Sequence, residues 1–211
     1  MLSRAPNLPN MVEVVERNTT FGMGKGKVFP AESAQHLLNP LRRLIQPPMR
    51  IVSRMNLKSD SRVLEFGCGP GWFSPSIARA VPHGHLTLCD IQPEMLAIAV
   101  SRIADTSHVD SVVSDGRSLP FDNDRFDAIL LAAVIGELPD PMILLRECAR
   151  VLSPGGTVTV VETRRDSDFI RRRDLAEMMQ SVNLHQSAVH GNRWEYTINF
   201  TTTPSRSPFS A

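Results

Sequence analysis

Between residues 60 and 163 the chain alternates short apolar runs with stretches of helical period. Residues 62–66, 85–90, 111–114, 126–131 and 157–162 have the length and β-branched or aliphatic content of strands. The run Phe126-Asp-Ala-Ile-Leu-Leu131 is apolar enough to be buried on both faces. Helices fall between them: Ser74-Pro75 opens one to residue 81, Pro93 opens a second toward Ile103, and Asp140-Pro141 caps a third over 142–152. Ser153-Pro-Gly-Gly156 reads as a turn. A further helix is predicted over roughly 168–182, then strands at 187–190 and 194–200. The last of these alternates and is predicted to pair antiparallel at a sheet edge. This β-α-β-α order predicts an α/β fold, with a parallel sheet, helices on both faces and right-handed crossovers.

The flanks differ. Residues 1–59 lack strand-like alternation. Met1 to Asn10 is rich in Pro and Asn, and Phe21-Gly-Met-Gly-Lys-Gly-Lys27 reads as a flexible basic loop. Short helices are predicted at 33–38, 40–45 and 49–56, with Asn39-Pro40 as a start signal and Pro47-Pro48 as a break. The organisation expected is a helical N-terminal extension (1–59), a core domain (60–200) and a polar, Pro-rich disordered tail (201–211).

Composition narrows the function classes. A chain of 211 residues, 42% hydrophobic and 21% charged, buries a core without staples. A net charge of +1 speaks against a dedicated nucleic-acid binder. The first 59 residues are nonetheless basic, with Arg4, Arg17, Lys25, Lys27, Arg42, Arg43, Arg50, Arg54 and Lys58 against Glu13, Glu16 and Glu32. Cys68, Cys89 and Cys148 show no CxxC spacing and are expected to be buried apolar residues of a reducing compartment. No signal peptide or bilayer-length apolar run is evident, so a soluble, cytoplasmic protein is expected. The six histidines have no metal-ligand spacing, and no metal is expected.

The chemistry concentrates in Val63-Leu-Glu-Phe-Gly-Cys-Gly-Pro-Gly-Trp72, where a strand enters three alternating glycines before a helix. Glycine permits tight turning and close approach of a ligand to backbone, at the carboxyl edge of the predicted sheet. GxxxxGK[ST] is absent, which excludes a phosphate-cradling P-loop. GxGxxG fails because Trp72 stands where the third glycine must pack, which disfavours a dinucleotide oxidoreductase. What remains is E-x-G-x-G-x-G, made by Glu65, Gly67, Gly69 and Gly71.

This segment resembles motif I of the class I S-adenosylmethionine-dependent methyltransferases, and later segments follow that family in order. Thr87-Leu-Cys-Asp90 resembles its second motif, Ser114-Asp-Gly116 with Leu119-Pro-Phe121 its third, and Arg150-Val-Leu-Ser-Pro-Gly-Gly156 the turn before its fifth strand. The likeness spans about residues 60 to 163, and it runs toward the group that includes quinone-biosynthesis C-methyltransferases. It implies a Rossmann-like, doubly wound, seven-stranded, mostly parallel sheet with an antiparallel edge strand and a helical N-terminal lid. It implies S-adenosylmethionine as cofactor and S-adenosylhomocysteine as product. Gly67, Gly69 and Gly71 would line the methionine part, with Glu65 orienting its amino group. Asp90 would bind the ribose, Ile91 pack on the adenine, and Asp115 and Gly116 meet the adenine edge. Leu131 and Ala132 would lie beside the sulfonium.

The acceptor is narrowed by what is missing. The Asn/Asp-Pro-Pro-Tyr/Phe signature of adenine and glutamine amino-methyltransferases is replaced by Leu131-Ala-Ala-Val-Ile-Gly-Glu137. No cysteine falls where a cytosine C5 nucleophile or an arsenite site needs one. Glu137 stands where relatives often carry histidine, and is the candidate base or cation partner for the acceptor. A small-molecule acceptor and a monomer or homodimer are expected. An RNA or protein methyltransferase, which a basic surface at the site mouth would support, and a non-catalytic cofactor-binding scaffold or sensor are the competing readings.

Overall fold

A computed structural model describes residues 11–14, 30–39, 46–164 and 166–202. The predicted loop 21–27 and helix 40–45, residues 1–10 and the tail past 202 lie outside the described residues. In chain order the elements are β1 (Met11–Val14), α1 (Ala34–Leu37), α2 (Pro48–Val52), β2 (Arg62–Phe66), α3 (Ser74–Ala80), β3 (His85–Asp90), α4 (Pro93–Ser101), β4 (Val109–Ser114), β5 (Phe126–Ala132), α5 (Pro141–Val151), β6 (Leu152–Thr163), α6 (Arg172–Ser181), β7 (Leu184–Gly191) and β8 (Glu195–Thr202).

The strands form one sheet in the order β1-β4-β3-β2-β5-β6-β8-β7. All neighbours from β1 to β6 are parallel, and β8 is antiparallel to both β6 and β7. The seven expected strands are present, and the antiparallel one sits one place inside the edge, with β7 outermost. An eighth strand, β1, extends the other edge by pairing with β4, Met11 opposite Ser111. Four residues carry too little period to announce a strand; the partner's open edge supplies the reason for it. The chain builds outward from β2 through β3 to β4, then crosses back to β5 on the other side of β2. That reversal opens a crevice at the carboxyl ends of β2 and β5, where α/β sheets bind ligands.

Burial follows the alternation of strand side chains. Val63, Ala128, Leu130 and Val161 face a core shared with Ile51, Val52, Met55, Trp72, Phe73, Ile77, Leu96 and Ala99. Leu64, Phe66, Ile129 and Leu131 face the other, with Leu144, Leu145, Cys148, Leu175, Met179, Tyr196 and Phe200. Helices therefore cover both faces. The N-terminal segment joins the first layer: Trp72 Nε1 donates to the Gln46 carbonyl at 3.0 Å, and Arg54 Nη1 to Thr197 Oγ1 at 2.9 Å. All three cysteines are buried free thiols.

Ser153–Gly156, expected as a turn, is carried inside β6. Leu152 pairs with Phe126 and Thr157 with Ala128, so the four residues bulge out between two pairs of one continuous strand, with Gly155 at φ 77°. Among the described residues, no helix is long and apolar enough to cross a membrane.

Candidate active site at the carboxyl edge of the sheet

Register brings the motif residues together. Phe66 lies opposite Cys89 on one side and Leu131 on the other, so Gly67, Asp90 and Ala132 leave the sheet side by side. Asp90 itself pairs with Val113, which puts Asp115 at the same edge. Local sequence places each residue on its strand; only pairing places them beside one another.

The three glycines do different work. All have left-handed φ, at 66°, 52° and 76° for Gly67, Gly69 and Gly71, a region that L side chains rarely adopt. A β-carbon on Gly67 would run into the Val134 side chain. One on Gly71 would lie 2.8 Å from Ala99 Cα, so this glycine lets α4 pack against the loop. One on Gly69 would meet only Leu37 Cδ1, at 3.9 Å. Gly69 therefore presents open space between the loop and α1.

Two buried carboxylates stand at the ends of β2 and β3, and of these Asp90 touches the Gly69 backbone. Glu65 is 2% exposed and accepts the Ser74 hydroxyl at 2.6 Å. Burial, opposed by the Ser74 hydrogen bond, pushes it up to about 8. Asp90 accepts the amides of Gly69 at 2.8 Å and Gln92 at 3.0 Å, and burial raises it to about 6. With a further bond from the Ile91 amide, these donors still leave part of the carboxylate's acceptor capacity unused.

The remaining residues sort clearly. Ile91 is half-buried beside Asp90. Asp115 accepts the Arg117 amide at 3.0 Å in a tight turn, and Gly116 follows at φ 79° where a β-carbon would strike the Phe66 ring. Leu131 is fully buried and gives its side chain to the core, so Ala132 and then Ala133, at φ 56°, form the strand's open end. Glu137 ends a 3-10 turn, Ile135–Glu137. Burial first, then the fields of Asp168, Asp90 and Asp166, push it up to about 7.

Two features escape a linear reading. The loop after Gly116 is clamped to α5: Leu119 N donates to Glu147 at 2.7 Å, and Arg150 donates to the Leu119 and Phe121 carbonyls. Nothing in the sequence marks these two side chains as loop anchors. The second is an acidic group around Glu137, made by Glu162, Asp166 and Asp168, which with Ala133 and Gly136 lines a small recess. Its signal was an acid closing a buried strand, Val160-Val161-Glu162, just as Asp90 closes β3.

A methyltransferase domain model matches residues 64–160. Demethylmenaquinone methyltransferase of Staphylococcus saprophyticus is 32% identical over 115 residues, 54% of this chain and 49% of that protein. The chain spans about half the length of the curated relatives it matches. A SAM-dependent methyltransferase from Aquifex aeolicus shares the fold with TM-score 0.75 at 19% identity, over 82% of this chain and 98% of that one. The (4+2)-cyclase SpnF aligns with TM-score 0.62 at 25% identity, over 69% of this chain and 59% of that one. Over residues 64–160 the chain matches the methyltransferase domain model, and there it is similar in sequence and fold to S-adenosylmethionine-dependent methyltransferases.

Proposed function

We propose that this protein transfers the methyl group of S-adenosylmethionine to a small-molecule nucleophile. The observation that carries the reading is the open face of Gly69 beside the buried Asp90, whose carboxylate accepts the Gly69 amide. The residues present fit the cofactor. Gly69 leaves room where a side chain would fill it, Asp90 keeps acceptor lone pairs beside that room, and Glu65 is a buried carboxylate suited to an amino group. Gly67 and Gly71 shape the loop, Ile91 offers an apolar surface for a base, and Asp115 and Gly116 stand at the adenine end. When bound, the cofactor supplies an activated methyl on a sulfonium. The protein's own task is to align acceptor and methyl and exclude water. Leu37 on α1 faces Gly69, so α1 serves as part of a lid over the cofactor.

Glu137 is placed as the acceptor's base or cation partner. The acids beside it disfavour RNA as substrate, because a polyanion approaching Glu137 would meet the fields of Asp166 and Asp168. The fold also carries cyclase chemistry in SpnF, so binding and turnover need separate tests. Calorimetry with S-adenosylmethionine, S-adenosylhomocysteine and NAD, followed by transfer of labelled methyl to an acceptor panel, provides them. Micromolar binding of the first two and none of NAD is expected; a preference for NAD, or binding without any transfer, overturns the reading.

A further inference from the structure

The recess beside Glu137 is unusual in what lines it. Ala133 and Gly136 supply small walls, and Glu137, Glu162, Asp166 and Asp168 supply four acids. It begins one residue past Ala132, on the side of the site away from Asp90's strand. Its volume is about 10 Å³, the room that one water-sized group needs.

Glu162 sets its character. The side chain is 2% exposed, lines the recess, and its Oε1 has no hydrogen-bond partner. Leaving a buried carboxylate oxygen unsatisfied costs on the order of 1–3 kcal/mol or more. Glu162 and Glu137 form no ion pair with any described residue. Among the described residues, no group of three or more acids, histidines or cysteines is arranged to hold a metal ion. A small donor-only cation answers this environment: it satisfies Oε1, relieves the repulsion among the acids, and fits the volume. A ring or an anionic oxygen does neither.

We propose that the acidic recess formed by Glu137, Glu162, Asp166 and Asp168 binds the head of a primary ammonium group, and that the methyl acceptor is therefore an amine. This rests on the methyltransferase reading above. Glu162 stands near 8 and Glu137 near 7, each raised first by burial and then by its acidic neighbours, which for Glu162 are Asp166, Glu137 and Asp168 and for Glu137 are Asp168, Asp90 and Asp166. An entering ammonium lowers both and can pass one proton to either carboxylate. The neutral nitrogen's lone pair then bonds to the methyl carbon as the carbon–sulfur bond breaks with its electron pair left on sulfur. Positive charge leaves the sulfonium and appears on the methylated ammonium.

The test is a carbon-13 carboxyl NMR titration of the full chain loaded with S-adenosylhomocysteine, at pH 8. Ethylammonium chloride is the probe, with ethanol, potassium chloride and magnesium chloride as matched controls. Expected are saturable shifts of the Glu137 and Glu162 resonances with ethylammonium alone, and at least tenfold weaker binding in Glu162→Gln. Should that variant misfold, Asp168→Asn carries the same expectation. No shift with ethylammonium, an equal response to ethanol, or the same shift from either salt at matched ionic strength overturns the proposal. S-adenosylhomocysteine affinity is measured on the same sample. Its retention with no ammonium response removes only the amine; its loss removes the methyltransferase reading itself.

Discussion

The Asp90 carboxylate reaches back from the end of β3 to the glycine loop and accepts the Gly69 amide at 2.8 Å. One side chain thus shapes the loop, and in the proposed function it also holds the ribose. Asp90→Ala is expected to weaken S-adenosylhomocysteine at least tenfold, about 1.4 kcal/mol, and to lower Tm, because the Gly69 and Gln92 amides both lose their acceptor. Calorimetry paired with thermal melts checks both; unchanged affinity would remove Asp90 from the cofactor site.

Gly69→Ala and Gly71→Ala should separate binding from folding. Alanine at 69 is strained by φ 52° but has space, so stability should fall by only about 1 kcal/mol while cofactor affinity drops far more. Alanine at 71 meets Ala99 backbone at 2.8 Å, so the fold itself should lose about 2 kcal/mol or more. Equal stability losses at the two sites would contradict the division of roles.

Trp72 is 6% exposed and bonds to the Gln46 carbonyl, tying the N-terminal segment to α3. Trp72→Ala should cost about 3–5 kcal/mol, and Trp72→Phe, which keeps most of the volume, clearly less. Urea unfolding with both variants measures this; a Trp72→Ala stability near wild type would show that the segment packs without it.

Stability should fall as pH rises from about 4.5 to about 8. Glu162 is raised from 4.5 to about 8, so across that window it is protonated when folded and ionised when unfolded. The folded state then holds the extra proton, and raising pH removes that advantage. Glu162→Gln should match wild type near pH 4.5 and exceed it by on the order of 1–3 kcal/mol at pH 8. Denaturant midpoints at the two pH values decide it; a difference independent of pH would sink the assignment.

If Glu137 is the base, kcat/KM on a working acceptor should rise with pH through about 7, since only its ionised form accepts a proton. Glu137→Gln should flatten that limb and lower kcat tenfold or more, leaving S-adenosylhomocysteine affinity near wild type. Unaltered turnover in the variant would assign the proton to another group.

Several features were legible along the chain. The strand order, the glycine loop and Asp90 each rest on short windows: an apolar run, a spacing, an acid closing a strand. Asp140 was legible as a cap and does accept the Met142 amide at 3.0 Å. Ser153–Gly156 carries every mark of a turn, yet the pairing of Leu152 and Thr157 with β5 on either side of it holds it within one strand. Likewise β1 exists because β4 offers an open parallel edge, a fact stored almost a hundred residues away.

The fold class and the glycine loop were readable from the chain, because they depend on backbone conformations and periodicities that a few adjacent residues dictate. Packing across strands and layers makes Gly69 open while Gly67 and Gly71 are closed in, ties Trp72 to the N-terminal segment, and gathers Glu162, Asp166 and Asp168 around Glu137. Those facts depend on which side chains meet across strands and layers, and on the burial that results. Burial first, then the fields of Asp166, Glu137 and Asp168, turn a strand-ending glutamate into a raised carboxylate with an unmet oxygen.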